Sequence, residues 1–414
     1  MSKKNLYLSV IAASMCLLLV LAVVFAANIK SDKKKKDPTS GESTPVTEYT
    51  QQKSKEVYTE SKSFLNDKNF LDEYQPNAEK KEEVKKKEAK LVVGSVAKDI
   101  RVTIVDSIGN KISGVPFYVN IADVGEYKDL DMDGYIYIAG IKPGTYEVSL
   151  LETDKFVCKE SVEIEVNETV QYAALEDIRY AIVQEKDINV EAEDIQLNDV
   201  DKDSTENTKI KKSNDKINFG IDVSSWQKEI DWGKVKAAGV DFVIIRCGYR
   251  GAKTGVLVED PYFYKNLTGA KEAGIDVGVY FFTQALNETE AVEEASMVLA
   301  LVGDTELDYP IFIDTENTNG RADPLDKNTR TAVCDAFCKT IERAGKKAGV
   351  YASRNWFNTK LDDDRLESHV RWVAEYASTT AYSKRYEMWQ YTSSGSIDGI
   401  NGRVDLDVSY IGNK

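Results

Sequence analysis

Residues 310–317 read PIFIDTEN, an apolar run, Ile311, Phe312 and Ile313, that ends in two acids one residue apart, Asp314 and Glu316. On an extended strand residues i and i+2 share a face, so these carboxyls project the same way, about 6.6 Å apart at Cα. That scale suits glycosidic bond cleavage, where one acid protonates the leaving oxygen and an anion stabilises an oxocarbenium-like transition state. Like charges this close raise one pKa, as a general acid at neutral pH requires. The simpler structural reading is a turn-capping pair. The residues at neighbouring strand ends decide between the two.

Those ends follow from the pattern beyond residue 217, where apolar strands alternate with longer amphipathic segments. Eight strands are read: INFGID, DFVIIRCG, DVGVYFF, YPIFIDTE, AGVYAS, VRWVAEY, YEMWQYT and RVDLDVS. Helices are expected around 231–239, 261–274, 287–302 and 326–345, three of them stopping at glycine. Near-continuous apolar strands alternating with helices predict a parallel sheet covered on both faces. The expected fold class is therefore α/β, an abbreviated eight-stranded β/α barrel of the TIM type. The last three strands are too closely spaced for full helices between them.

In such barrels the site gathers at the C-terminal strand ends. In order, these carry Asp222, Arg246, Tyr280 with Phe282, Asp314 with Glu316, Tyr351, Trp372 with Glu375, Trp389 with Gln390, and Asp405. The catalytic candidates are Glu316, Asp314, Asp222 and Asp405. Tyr280, Phe282, Arg246, Tyr351, Trp372, Trp389 and Gln390 are the expected substrate contacts. Aromatics beside carboxylates suit a carbohydrate cleft, because sugar C–H faces pack on rings while hydroxyls and acetamides need fixed polar partners. Core packing is the competing role for each aromatic, a structural ion pair for Arg246, and a core or rim place for Trp226 and Trp232.

Composition narrows the chemistry. The 414-residue chain has a net charge of −15 and a single histidine, His369. Nucleic acid is not an expected partner. A Ser-His-Asp triad would have to use His369, which reads as a surface or loop residue, and histidine-based zinc sites need more than one. No metal or organic cofactor is expected. The five cysteines form no Cys-x-x-Cys pair, and Cys334 and Cys338 read as buried small hydrophobes.

Upstream, residues 6–27 carry no charge and as a helix would span about 33 Å, enough to cross a bilayer. Residues 1–28 are therefore expected as a single-pass transmembrane anchor, with a cleaved signal peptide as the alternative. Lys30 and Lys33 to Lys36 oppose an outside placement by the positive-inside rule, but the downstream domains favour it. The lysines then face anionic lipid or wall polymer. Residues 29–91 and 176–216 read as polar linkers. Residues 92–175 hold short β-rich runs separated by SIGN, DMDG and KPGT, the pattern of a small β-sandwich with a spacer or adhesive role. Asp131 and Asp133 before Gly134 read as a solvated turn rather than a calcium loop, since Asp-x-Asp-Gly alone lacks the remaining ligands. The stretch GVPFYV…DMDGYIYIAGIKPGTYEVSLLE resembles Cna protein B-type, prealbumin-like domains of Gram-positive surface proteins.

Residues 218–412 resemble glycoside hydrolase family 25, the Chalaropsis-type lysozymes. The resemblance rests on FGIDVSSWQKEIDWGKVKAAGVDFVIIRCGYRG, AGIDVGVYFFTQALNETEAVEEA, YPIFIDTEN, GVYASRNWF, WVAEY and MWQYTSSGSIDGINGRVDLDVSY. It implies cleavage of the β-1,4 bond between N-acetylmuramic acid and N-acetylglucosamine in peptidoglycan, at a Gram-positive cell surface. It also implies Glu316 as general acid/base and Asp314 as stabiliser of a substrate acetamide or glycosyl intermediate, flanked by Asp222 and Asp405. Ser225 stands where many relatives have histidine, and Asp407 where asparagine is common. A wall-binding protein without turnover, or a secreted lysin acting on other cells, are the competing functions.

Overall fold

The computed structural model describes residues 85–188 and 217–411. The expected anchor, residues 1–28, and most of the first linker lie outside the described residues. Among those described, no helix is long and apolar enough to cross a membrane.

Residues from Lys87 onward build two four-stranded sheets. They are formed by β1 (Lys87–Gly94), β2 (Asp99–Asp106), β3 (Tyr118–Ile121), β4 (Gly125–Lys128), β5 (Tyr135–Ala139), β6 (Gly144–Leu150), β7 (Phe156–Val157) and β8 (Val162–Val166). One sheet runs β5-β2-β1-β7 and the other β4-β3-β6-β8. Alternating β-branched residues such as Ile100, Val102, Ile104, Val119 and Ile121 turn inward and join Phe117 in a shared core.

The first residues of the expected second linker are folded. Glu176–Tyr180 forms a 3₁₀ turn and β9 (Ile182–Gln184) adds to the barrel sheet. That sheet contains β10 (Asn218–Val223), β11 (Phe242–Arg250), β12 (Leu257–Glu259), β13 (Asp276–Phe282), β14 (Ile311–Asp314), β15 (Ala348–Ser353), β16 (Val370–Ala374), β17 (Met388–Gly395) and β18 (Val404–Ser409). Its order is β10-β18-β17-β16-β15-β14-β13-β11, closed by pairing of β10 with β11, while β12 and β9 extend outward from β11.

The result corrects the expected TIM-type barrel. It is a closed eight-stranded barrel of mixed direction, because β18 runs antiparallel to both β17 and β10. The reason is chain length. A parallel return needs a crossover of roughly a dozen residues or more, and the segment 396–403 between β17 and β18 allows only a hairpin. Helices are also few. Among the described residues they are α1 (Trp232–Ala237), α2 (Phe263–Glu272), α3 (Glu288–Val302), α4 (Lys327–Arg343) and α5 (Arg354–Thr359), of which only α2, α3 and α4 exceed two turns. Segments 375–387 and 396–403 carry none.

Strand alternation makes two cores. Val243, Ile245, Val277, Val279, Ile311 and Ile313 face outward onto α2, α3 and α4. Phe242, Ile244, Phe312, Tyr351, Trp372 and Met388 fill the barrel interior. The interior is tight enough to require glycine: a Cβ on Gly220 would stand 2.4 Å from the Phe242 ring, and one on Gly349 2.5 Å from Phe312.

The two-sheet module docks directly on α3. Tyr172 Oη donates to Glu288 (2.8 Å), the Leu175 N–H donates to Ser296 Oγ (3.0 Å), and Val96, Leu175 and Ile178 join the outer barrel core. Arg101 of β2 and Arg250 of β11 both bond Glu293 of α3, and Arg250 also reaches the fully buried Glu294.

Candidate active site

A cleft of about 760 Å³ opens at the strand ends, lined by Asp222, Arg246, Tyr280, Phe282, Asp314, Glu316, Tyr351, Trp372, Gln390 and Asp405. Strand alternation explains the convergence. Interior-facing Ile244, Phe312 and Met388 are each followed two residues later by Arg246, Asp314 and Gln390, which continue the interior column up to the mouth. Phe282, Asp314 and Tyr351 are register partners on neighbouring strands. Asp222 pairs with Asp405, so the reversed β18 delivers its acid from its N-terminal end.

Trp389 does not join them. One residue from Gln390, it faces the other side of β17, where its indole N–H donates to the Glu375 carbonyl (2.8 Å) and its ring packs on Tyr391. Side chains one apart on a strand cannot share a face, so only Gln390 of that pair turns inward.

Gln390 is fixed from both sides. Its Oε1 accepts from Tyr351 Oη (2.8 Å) and Tyr376 Oη (3.1 Å), and its Nε2 donates to Asp222 Oδ2 (2.8 Å). Trp372 forms the floor, edge-on to Tyr351 at 4.6 Å and Phe312 at 5.2 Å between ring centroids. Its Nε1–H donates to Asp407 Oδ1 (2.8 Å). Arg246 is bound away from the acids: Nε donates to Asp260 Oδ2 (2.8 Å) and Nη2 to Ser225 Oγ (2.9 Å). The departure at Ser225 thus falls behind the cleft wall, on the arginine.

The acids share one electrostatic problem. Burial pushes the Glu316 carboxyl up to about 7. Asp314 is raised well above the usual carboxylate range by burial, then by Glu316 and Asp222, and its Oδ1 has no hydrogen-bond partner. Asp222 is raised by burial and by Asp407, and Asp405 by burial, Asp222 and Glu316. Such a group holds a proton at neutral pH that isolated carboxylic acids have released. One acid in contact with solvent and titrating near neutrality, beside a buried partner, is the arrangement of a general acid and its auxiliary.

The cleft also contains Trp226, Asn317, Trp356, Glu375, Tyr376, Asn401 and Arg403. Trp226 is 59% exposed, an apolar plate at the entrance rather than a core residue, while Trp232 is buried. Tyr376 lies directly beyond the end of β16, so the strand-end rule would have found it one residue further along. Asp260, the anchor of Arg246, carried no local signal. His369 is not a surface residue: 2% exposed, it bonds Glu342 (2.8 Å) and Asp335 (3.2 Å) on α4. Its place, away from the cleft lining, leaves it out of the chemistry.

Comparison with known proteins agrees with the geometry. Residues 221–400 match the model of glycosyl hydrolases family 25. An uncharacterized protein of Escherichia coli O6:H1, YegX, is 30% identical over 197 residues, which are 46% of this chain and 68% of that protein. The autolytic lysozyme of Clostridium acetobutylicum is 32% identical over 194 residues, 45% of this chain and 54% of that one. Among solved structures, the modular autolysin LytC of Streptococcus pneumoniae in complex with a synthetic peptidoglycan ligand is 34% identical, with a TM-score of 0.42 and 46% of each chain covered. The chain thus spans about half the length of the latter two proteins.

Proposed function

The chain belongs to glycosyl hydrolase family 25 as a lysozyme-type glycoside hydrolase, and from that premise we propose that it cleaves the β-1,4 bond between N-acetylmuramic acid and N-acetylglucosamine in peptidoglycan. The observation that carries this reading is Glu316, raised by burial to about 7 beside the still more buried Asp314. About half of such a group is protonated at pH 7, against roughly 0.2% of an ordinary glutamic acid.

In this mechanism Glu316 gives its proton to the glycosidic oxygen as the C–O bond breaks. The positive charge grows on the anomeric carbon and ring oxygen. Asp314 stabilises it, either by orienting the substrate's own acetamide as internal nucleophile or through its carboxylate. Glu316, now ionised, takes a proton from the water that completes hydrolysis. Asp222 and Asp405 flank the pair at the rim, Gln390 keeps Asp222 in place, and Tyr280, Phe282 and Trp226 offer faces to sugar rings. Peptidoglycan as substrate supports work outside the cytoplasmic membrane, in cell-wall remodelling.

Product analysis of muropeptides from whole peptidoglycan tests the reading, comparing the full wild-type chain with Glu316→Gln and Asp314→Asn. Wild type should release reducing muramic acid ends, Glu316→Gln none, and Asp314→Asn far fewer. A folded wild type that binds peptidoglycan but releases no such ends would leave only a binding role.

A further inference from the structure

The turn between β4 and β5 joins the two solvent-facing acids Asp131 and Asp133 to a third that is buried. Its sequence is DLDMDG, and the acid that opens it, Asp129, is 1% exposed. Asp129, Asp131 and Asp133 each present a carboxylate oxygen within 4.8 Å of the others. Two ligands on one calcium ion, each at 2.3–2.6 Å, stand at most about 5 Å apart.

Asp129 supplies the second, independent observation. Its Oδ2 accepts the Gly134 N–H (2.9 Å), but no donor reaches its buried Oδ1. The side chains that do act on it are Asp131 and Asp133, both acids. An unpartnered buried carboxylate oxygen turned toward further carboxylates requires a positive charge, either a proton or a cation. Lys111 supplies only part of one, since its Nζ bonds Asp133 Oδ2 (3.1 Å) on the open side.

The backbone is already folded around this centre. Gly134 has φ +82°, and a Cβ there would stand 2.1 Å from the Ile112 carbonyl oxygen. The Met132 carbonyl accepts from Gly114 N–H (2.7 Å) and the Asp129 N–H donates to the Phe117 carbonyl (3.0 Å). Acids at the first, third and fifth positions with glycine at the sixth present hard oxygen donors to a single point, the spacing calcium loops use.

We propose that Asp129, Asp131 and Asp133 bind a calcium ion. Sequence alone offered two of the three ligands; the third was hidden as a buried residue at the end of β4. The location gives the ion a task. β4 belongs to one sheet and β5 to the other, so segment 129–134 is a crossing between sheets. An ion held from both ends of that crossing ties the layers together. The exposed half of the site, Asp131 and Asp133, suits the weak affinity of extracellular modules, roughly 10⁻⁴–10⁻³ M.

The test is calcium titration of the full chain, freed of metal with a chelator, by calorimetry and thermal unfolding. One saturable calcium site is expected by calorimetry, with the unfolding temperature climbing roughly with the logarithm of calcium concentration between about 1 and 10 mM. Asp131→Asn alters an exposed side chain whose partner is Asp129 within the same turn, and should weaken binding about ten-fold or more. Lys111→Gln should tighten it, by freeing Asp133. Absence of saturable heat and of any shift up to that concentration overturns the proposal, as does binding that survives undiminished in Asp131→Asn. Asp129→Asn serves as a further check where it folds.

Discussion

Asp407 offers a sharp test of the electrostatics beneath the cleft. It is fully buried on β18, its Oδ1 accepts the Trp372 indole N–H, and no donor reaches its Oδ2. It is in hydrogen-bonding contact with Asp222, and burial raises both carboxyls well above their usual range. The folded protein therefore keeps a proton that the unfolded chain, with aspartic acid near 3.9, has lost by neutral pH. Where the native state binds more protons than the unfolded state, stability falls as pH rises, by about 1.4 kcal/mol per pH unit for each proton. That decline starts near pH 4 and runs up to the folded-state pKa. Asp407→Asn keeps an acceptor for Trp372, offers an amide N–H to Asp222, and has no proton to lose. It should match wild type near pH 4 and gain on it by up to about 1.4 kcal/mol per unit above that. Asp407→Ala leaves two buried groups without partners and should cost about 1–3 kcal/mol for each. Urea unfolding of the full chain from pH 4 to pH 8, followed by tryptophan fluorescence, measures all three. Parallel pH profiles for wild type and Asp407→Asn, or an asparagine variant less stable than wild type at pH 7, would refute the shared proton.

The remaining predictions concern other groups. With Glu316 near 7, kcat/KM on peptidoglycan should fall about ten-fold per pH unit above roughly pH 7; a fall beginning near pH 5 would remove Glu316 from the general-acid role. Glu293→Ala removes one of two carboxylates from each of the buried Arg101 and Arg250, which keep Asp99 and Glu294, and should destabilise the chain by about 1–3 kcal/mol in thermal unfolding while leaving cleavage at permissive temperature largely intact. His369 is disfavoured as a cation by burial, but its bonds to Asp335 and Glu342 more than offset this and raise it. Its stabilisation is full below about pH 6.5 and lost as pH climbs through the folded value, so the deficit of His369→Gln in unfolding temperature should shrink from pH 6 to pH 8.

The cleft was readable from sequence to the extent that strand ends announce themselves. Asp222, Asp314 and Gln390 were found because an apolar run stops at a polar residue, and a barrel gathers such stops at one rim; Asp405 was assigned to that rim as a strand end although it lies at the start of β18. Trp389 failed because it and Gln390 were both assigned inward, which a period of two forbids. The direction of β18 was legible in the shortness of 396–403, yet the alternating pattern before it suggested another parallel strand. His369 lay beyond local reasoning: its polar neighbours read as surface, and its partners sit on α4, separated by 27 and 34 positions. Asp129 escaped for a similar reason, since nothing local says that an acid preceding Leu130 is buried.

The docking of β9 on β12 gives the end of the two-sheet module a mechanical meaning. β9, β12 and β10 belong to one sheet of one compact unit. The two-sheet module and the cleft are therefore parts of one body. The spacing of those parts is set by the β9–β12 ladder and the arginine–glutamate contacts on α3, as the length of a bracket is set by its bolts.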